Sequence, residues 1–307
     1  MARVLGQNGA ANDIGVASNP EFLREAHAVR DFLHTSRIVI GCDDTAIAVR
    51  VSELYKGLQA PLLVTDPASA EMIKYASNAF LATKISFVNA IANLCEAVNA
   101  DVRDVALGMG YDPRIGSEFL QAGPGYGGSC LPKDVAALVH TAAQAGYDFA
   151  LLRGVVEVNE QQRERVIAKI TAGAGGSVAG ARIAVWGLTF KANTDDLRDS
   201  PALAIVSRLV AAGAQVSAYD PILADPVMGE VPLAARLPGI DVVSDPYDAT
   251  RGASLLAVLT EWHEFRWLDF DRVLAGMHEP HAIVDARNLL DASGMRRLGF
   301  AYQGVGR

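Results

Sequence analysis

From Ala68 to Val98 one apolar stripe runs through the sequence at three-and-four spacing: Met72, Tyr75, Ala76, Ala79, Phe80, Ile85, Val88, Ile91, Ala92 and Cys95. That period predicts a single long helix with a buried face. Helical patterning continues through a stretch from Pro132 to Ala145 and another from Asn159 to Ala172, around a Gly/Pro-rich loop at 108–128. A block of long helices with broad apolar faces between two regions of different rhythm suits both a linker and a dimer interface.

The flanking regions alternate short β-rich runs with helical patterns, as in α/β domains built on parallel sheets. Upstream, Ile14-Gly15-Val16-Ala17, Arg37-Ile38-Val39-Ile40-Gly41 and Pro61-Leu62-Leu63-Val64-Thr65 read as strands, with a helix from Thr45 to Leu58. Three strands are about half of a complete doubly wound dinucleotide domain. Downstream, strands are expected at 182–187, 214–220, 255–260 and 282–285, with a helix from Ser200 to Gly213 opened by Ser200-Pro201. The expected division is 1–66, the remnant of a Rossmann-type domain; 67–172, a central helical domain for dimerisation and catalysis; and 180–307, a second Rossmann-like domain, with the Ala/Gly-rich stretch Thr171 to Gly180 as a boundary.

Bulk properties narrow the function. The 307 residues carry a net charge of −8 and no run of five Lys/Arg, which argues against nucleic acid or an anionic membrane as the main partner. No uncharged stretch reaches the ~18 apolar residues of a membrane helix, and the first residues lack a signal-peptide core. Three scattered cysteines, Cys42, Cys95 and Cys130, suit reduced thiols in a cytoplasmic protein. The six histidines show no HxxxH or HExxH spacing, so no metal is expected.

Chemistry concentrates in a few segments. Cys130 follows the turn Gly123-Pro124-Gly125-Tyr126-Gly127-Gly128 and precedes a helix expected to begin at Pro132. The positive end of the helix and the neighbouring Lys133 both favour a thiolate, the nucleophilic form. Asp134, four residues on, shares that face and could position a water or a proton; a tight turn around a buried thiol is the alternative. Lys74 and Asn78, also four apart, could hold an oxyanion if they point inward, or be an ordinary exposed pair. Asn19-Pro20-Glu21-Phe22-Leu23-Arg24-Glu25 places carboxylates after a strand, where such folds bind ligands, or is a plain acidic helix start. Phe190-Lys191 and Asp195-Asp196-Leu197-Arg198-Asp199-Ser200 put two basic residues near a helix N-terminus, an arrangement friendly to phosphate.

Taken in order, these segments resemble the UDP-glucose/GDP-mannose dehydrogenase family from about Val16 to Arg307. Asn19–Glu25 is similar to its NPEFL segment, Lys74 to Phe80 to its KYxxNxF helix, Gly127–Asp134 to its GGSCxPKD loop, and 190–201 to its FKxxTDDxRxSP signature. Tyr126, Trp262 to Arg266 and the C-terminal Gly299 to Arg307 favour the UDP-glucose branch. The resemblance implies an NAD-dependent enzyme that oxidises the C6 alcohol of a nucleotide sugar twice, to a uronic acid. It implies Cys130 as nucleophile through a thiohemiacetal and a thioester. Lys74 and Asn78 would stabilise the oxyanion, Asp134 would order water, and Glu21 would assist hydrolysis. Implied substrate contacts are Glu21, Phe22, Leu23, Arg24, Glu25, Lys74, Asn78, Phe119, Leu120, Gln121, Ala122, Gly123, Tyr126, Gly127, Phe190, Lys191 and Arg287, with Arg114 reaching a neighbouring subunit of a homodimer. Glu25, Lys133 and Arg198 would touch NAD.

The sequence departs from that pattern in lacking a strand followed by a G-x-G-x-x-G turn. Gly6-Gln7-Asn8-Gly9 is not one, and residues 1–15 look like the end of an interior helix and its loop. The expectation is that about a domain's worth of residues lies upstream, and that this chain alone neither binds NAD+ nor produces NADH. Ala26 stands where the family usually has Gly, and Ala90 where a Glu is common. Two other readings compete: a UDP-sugar-binding, dimerising pseudoenzyme, and a different cysteine enzyme such as a thioester hydrolase, for which no His lies near Cys130.

Overall fold

A computed structural model describes residues 14–223 and 237–307. The chain divides into two compact units, Met1–Asn78 and Ala79–Arg307. The expectation for residues 1–13, Gly6 to Gly9 included, lies outside the described residues.

In the first unit, β1 (Ile38–Gly41) and β2 (Leu62–Thr65) pair in parallel, Ile38 opposite Leu62. Helix α1 (Ala28–Leu33) precedes β1, and α2 (Thr45–Ser52) follows it. Asp44 caps α2 by accepting from the Ala46 amide, satisfying one of the free N–H groups of the first turn. Ile38, Ile40 and Ala48 form the small core. The expected strand at 14–17 does not form: Ile14 and Val16 are exposed, and the contact is an isolated antiparallel bridge from Ser18 to Gly41. Four residues interrupted by Gly15, with no buried face, cannot hold a strand. The helix expected to run to Leu58 stops at Ser52 and tightens into a 3-10 turn at Glu53–Tyr55. Residues 19–24 form neither helix nor strand.

Helix α3 (Pro67–Val98) begins in the first unit and ends in the second. Asp66 caps it, accepting from the Ser69 amide at 2.8 Å, and the Ser69 hydroxyl and amide together hold its carboxyl below the usual range. Only part of the expected stripe is buried: Ala79, Val88, Ala92 and Cys95 are, whereas Met72 and Phe80 lie open. By length and composition this one helix could cross a membrane, which a search for uncharged runs alone does not reveal. Its buried polar residues point to packing against protein instead: Ser86 donates to the Val155 carbonyl and Asn93 to Gln162.

Helices α4 (Val102–Gly110), α5 (Leu131–Gln144) and α6 (Ala150–Gly173) follow. Helix α6 starts at Ala150 rather than at Asn159, because Leu152 and Val155 extend its buried face by two turns. The sheet behind it contains β3 (Arg182–Trp186), β4 (Gln215–Tyr219), β5 (Ile240–Val242), β6 (Leu255–Val258), β7 (Ala282–Asp285) and β8 (Ala301–Gln303). All pairings are parallel, in the order β5-β4-β3-β6-β7-β8. The sequence reading misses β5 and β8, whose three residues are too few to show a pattern.

Helices cover both faces, so the central strands are apolar at almost every position. Ile183, Val185, Leu255 and Ala257 face α6 and α7 (Pro201–Ala211). Ala184, Trp186, Leu256 and Val258 face α8 (Pro246–Thr250), α9 (Phe270–Gly276) and α10 (Ala292–Leu298). The strand order reverses between β3 and β6, which leaves a crevice at their carboxyl ends.

Candidate active site

In the first unit, the Lys74 ammonium donates to the Glu21 carbonyl at 2.6 Å and its carboxylate at 2.7 Å, and the Lys74 side chain is only 18% exposed. Glu21 also accepts from the Leu23 amide at 2.7 Å. Arg37 stacks on the Phe22 ring, 3.7 Å from its centroid. The segment 19–24 is therefore fastened to α3 through a carboxylate and an ammonium. Asn19 ties the segment back to β1 through the Val39 carbonyl. Arg24 forms an ion pair with Asp31, whose carboxyl it holds well below the usual range. Asn78 lies one turn beyond Lys74 on α3, partly buried. At the turn after Glu25, Ala26 has φ +65°, a conformation natural to glycine.

In the second unit, Cys130 sits at the N-cap of α5, exposed, with Pro132 in the first turn. The helix begins at Leu131, one residue before the expected Pro132. Asp134 stacks one turn above Cys130: its amide donates to the Cys130 carbonyl at 3.0 Å, and its buried carboxylate is met by Lys133 at 2.5 Å. Two close approaches seat the segment before the thiol. A Cβ on Gly127 would lie 2.1 Å from the Asp199 carbonyl oxygen and 2.6 Å from Pro201. A Cβ on Gly128 would lie 2.7 Å from the Phe190 ring, and Gly128 has φ +80°. The glycines are there because the 190–201 loop lies on the Cys130 loop.

That 190–201 loop springs from the carboxyl ends of the strands at the reversal point. Asp220, after β4, is fully buried; one of its oxygens accepts from the Leu188 and Thr189 amides, the Thr189 hydroxyl and the Trp262 indole. Thr260 donates to the Thr189 carbonyl at 2.6 Å. Arg287, after β7, donates to the Leu259 and Phe190 carbonyls and lies 3.0 Å from Glu261. Ser200 caps α7 and donates to the Leu188 carbonyl at 2.7 Å. Gly123 thus lies beside the Arg287 guanidinium, which holds the Phe190 carbonyl, and Gly128, two residues before Cys130, lies against the Phe190 ring.

Other expected site residues sit differently. Arg114 is 87% exposed and paired with Asp112, which raises the arginine's pKa and lowers the carboxyl's. Phe119 occupies φ +64°, while Leu120 and Ala122 are buried and Gln121 is exposed. Tyr126 is buried, which pushes its phenol up. The sequence reading overlooked the amides that grip this loop. Asn159 accepts from the Tyr126 amide at 2.8 Å and donates to its carbonyl at 3.2 Å. Gln162 donates to the Gly123 carbonyl at 2.8 Å, and Asn89 accepts from the Gly123 amide at 2.8 Å. The only signal for them was amides at helical spacing inside apolar stripes.

Gly123, Gly125 and Gly128 satisfy G-x-G-x-x-G when read literally, yet no strand precedes them, and the amides of Gly123 and Tyr126 are already taken by side chains. Among the described residues, no strand leads into a turn of that kind. The first unit matches part of a dinucleotide-binding domain. Of the residues expected near the cofactor, Lys133 pairs with Asp134 and Arg198 pairs with Asp196 through both carboxylate oxygens. Among the described residues no group of three or more His, Cys, Asp or Glu could hold a metal ion.

Family models of the UDP-glucose/GDP-mannose dehydrogenases match residues 2–59 (NAD binding domain), 68–161 (central domain) and 184–292 (UDP binding domain). The chain is 48% identical to a UDP-glucose 6-dehydrogenase of Rhizobium meliloti, over 100% of this chain and 70% of that one. It is 43% identical to the Pseudomonas aeruginosa enzyme, over 96% and 65%. A UDP-glucose dehydrogenase structure from Pyrobaculum islandicum superposes with a TM-score of 0.86 at 34% identity, covering 99% of this chain and 66% of that one. The chain spans 62–70% of the length of the curated relatives compared. With its reversed-order parallel sheet and this likeness along the whole sequence, the chain belongs to the UDP-glucose/GDP-mannose dehydrogenase family.

Proposed function

We propose that this chain carries the nucleophile and sugar-nucleotide half of a UDP-glucose 6-dehydrogenase, which oxidises UDP-glucose to UDP-glucuronate in two steps. The observation that carries the reading is Cys130: an exposed thiol at a helix N-terminus, on a loop seated against the carboxyl-end loops of a reversed-order sheet. Phe190, Lys191, Arg287, Gly127 and the 119–123 segment would receive the nucleotide sugar there. Arg24, Glu25, Phe22 and Leu23 would contact it from the 19–25 segment.

Cys130 would add to the C6 aldehyde and hold that carbon as a thiohemiacetal and then a thioester, which water cleaves to the acid. Lys74 and Asn78 would donate to the oxyanion. Asp134 and Glu21 would orient the water and take its proton. NAD+, when bound, accepts the hydride of each oxidation; Glu25, Lys133 and Arg198 would face it. Phe80, Leu94, Val98, Leu107 and Tyr111 are exposed apolar side chains on α3 and at or beside α4, and support a homodimer through these helices, with Arg114 contributing to the partner's site. Sedimentation of the purified chain tests that assembly; a monomer at micromolar concentration removes it.

Two measurements test the function. UDP-glucose should slow alkylation of Cys130, and a rise in absorbance at 340 nm with UDP-glucose and NAD+, absent from Cys130→Ser, would show that the chain also oxidises the sugar. Neither protection nor NADH would overturn the proposal. Protection without NADH favours the second reading, a UDP-sugar-binding chain without redox activity.

A further inference from the structure

The loop that delivers Cys130 is unusual in being buried. Residues 122–126 are all buried, although loops ordinarily run over the surface because their backbone groups need partners. Here helix side chains supply those partners in place of a neighbouring strand. Asn159 on α6 pairs with both backbone groups of Tyr126, at 2.8 and 3.2 Å. One helical position set away, Gln162 accepts from Asn93 at 3.0 Å and donates to the Gly123 carbonyl, while Asn89 on α3 takes the Gly123 amide. Both groups of Gly123 and both groups of Tyr126 are thereby held.

The two residues between fit the same design. Pro124 has no N–H to satisfy. Gly125, at φ +117°, leaves room for the amide: a Cβ there would stand 2.7 Å from the Asn159 oxygen. Asn89, Asn159 and Gln162 are each at least 95% buried, so water does not compete for these bonds. Beyond Tyr126, Gly127 and Gly128 are fixed by Asp199, Pro201 and Phe190. The chain from Gly123 to Gly128 is thus gripped along its length, ending two residues before the thiol.

We propose that Asn159, Gln162 and Asn89 are positioning residues for the nucleophile: they act through the backbone of Gly123 and Tyr126 to set where α5 begins and hence where Cys130 stands. The inference rests on the reading of Cys130 as nucleophile. It predicts that loosening the amide grip changes the thiol's behaviour more than an equal loss of overall stability does.

The test uses the full chain with Asn159→Ala, the near-isosteric Gln162→Met, and the control Val166→Ala, a buried residue on α6 that packs in the apolar core. Hydrogen exchange of peptides spanning 120–130 and iodoacetamide alkylation of the Cys130 peptide are followed by mass spectrometry, with melting temperatures measured alongside. In both amide variants, exchange should accelerate at least tenfold. Alkylation should move at least threefold toward the rate of the urea-unfolded chain. Val166→Ala at a comparable melting temperature should change neither by more than twofold. If Asn159→Ala does not fold, Asn159→Asp, which keeps the acceptor for Tyr126, replaces it. Rates within twofold of wild type in the amide variants, or an equal response in Val166→Ala, would overturn the proposal. Neither readout needs NAD+ or sugar, so protection of Cys130 by UDP-glucose in the wild type, measured in parallel, separates a failure of this inference from a failure of the proposed function.

Discussion

The close packing of Gly127 allows a quantitative test of how the nucleophile loop is seated. Gly127→Ala would place a methyl carbon 2.1 Å from the Asp199 carbonyl oxygen and 2.6 Å from the Pro201 ring. Ordinary carbon–oxygen contact begins above ~3 Å, so the carbonyl must retreat by about 1 Å. Neither partner is a flexible side-chain tip: one is backbone, the other a proline at the first turn of a helix capped by Ser200. Overpacking costs ~1–3 kcal/mol in general, occasionally more, and rigid neighbours place this case at about 3 kcal/mol. Gly127 is not among the residues with positive φ, so no backbone strain adds to that figure. The control is Gly154→Ala on α6, where nothing lies within 4 Å of the new carbon; replacing a helical glycine should stabilise by ~0.5–1 kcal/mol. Urea unfolding at constant m-value reads both changes. A loss under ~1 kcal/mol for Gly127→Ala would refute the idea that the 190–201 loop is pressed onto the Cys130 loop.

Ala26→Gly should stabilise the first unit by ~1 kcal/mol, since Ala26 occupies φ +65°; a loss of midpoint in urea contradicts this. Ser200→Ala should cost ~1–2 kcal/mol, because the hydroxyl both caps α7 and donates to the Leu188 carbonyl; an unchanged melting temperature would show that neither bond matters. Burial pushes the Asp285 carboxyl up, against hydrogen bonds from Tyr302 and three backbone amides. An acid whose folded pKa exceeds its unfolded value of ~3.9 keeps its proton longer when folded, so its contribution to stability is full at low pH and lost as pH rises through the folded pKa. Asp285→Asn should therefore gain stability relative to wild type as pH rises from 4 to 8, measured by unfolding across that range; a falling difference would reverse the assignment.

Much of the molecule was legible because short-range patterns are enough for it. The apolar runs at 183–186, 255–258 and 282–285 read as buried strands because parallel sheets covered on both faces need nothing else. Ser200-Pro201 announced a helix start and supplies one. The errors have the same origin. Ile14 to Ala17 had strand-like residues but no partner, Ala150 to Val158 was passed over although it begins α6, and β5 and β8 were too short to register. Asn89, Asn159 and Gln162 went unseen because an amide's value depends on which carbonyl lies opposite, and no local spacing encodes that.

By itself, then, the sequence determined the alternation of α/β and helical regions, the long helix α3, and a cysteine placed at the head of a helix with a carboxylate one turn on. These follow from periodicity and capping, which act over a few residues. Tertiary structure decided that Gly127 and Gly128 are glycines for the sake of Asp199, Pro201 and Phe190. It likewise decided that the buried Asp220 knots the loop after β3, and that helix amides hold Gly123 and Tyr126 in place of a strand. Each joins residues tens of positions apart, and steric exclusion and hydrogen bonding act only between groups that the completed fold has brought within a few ångströms.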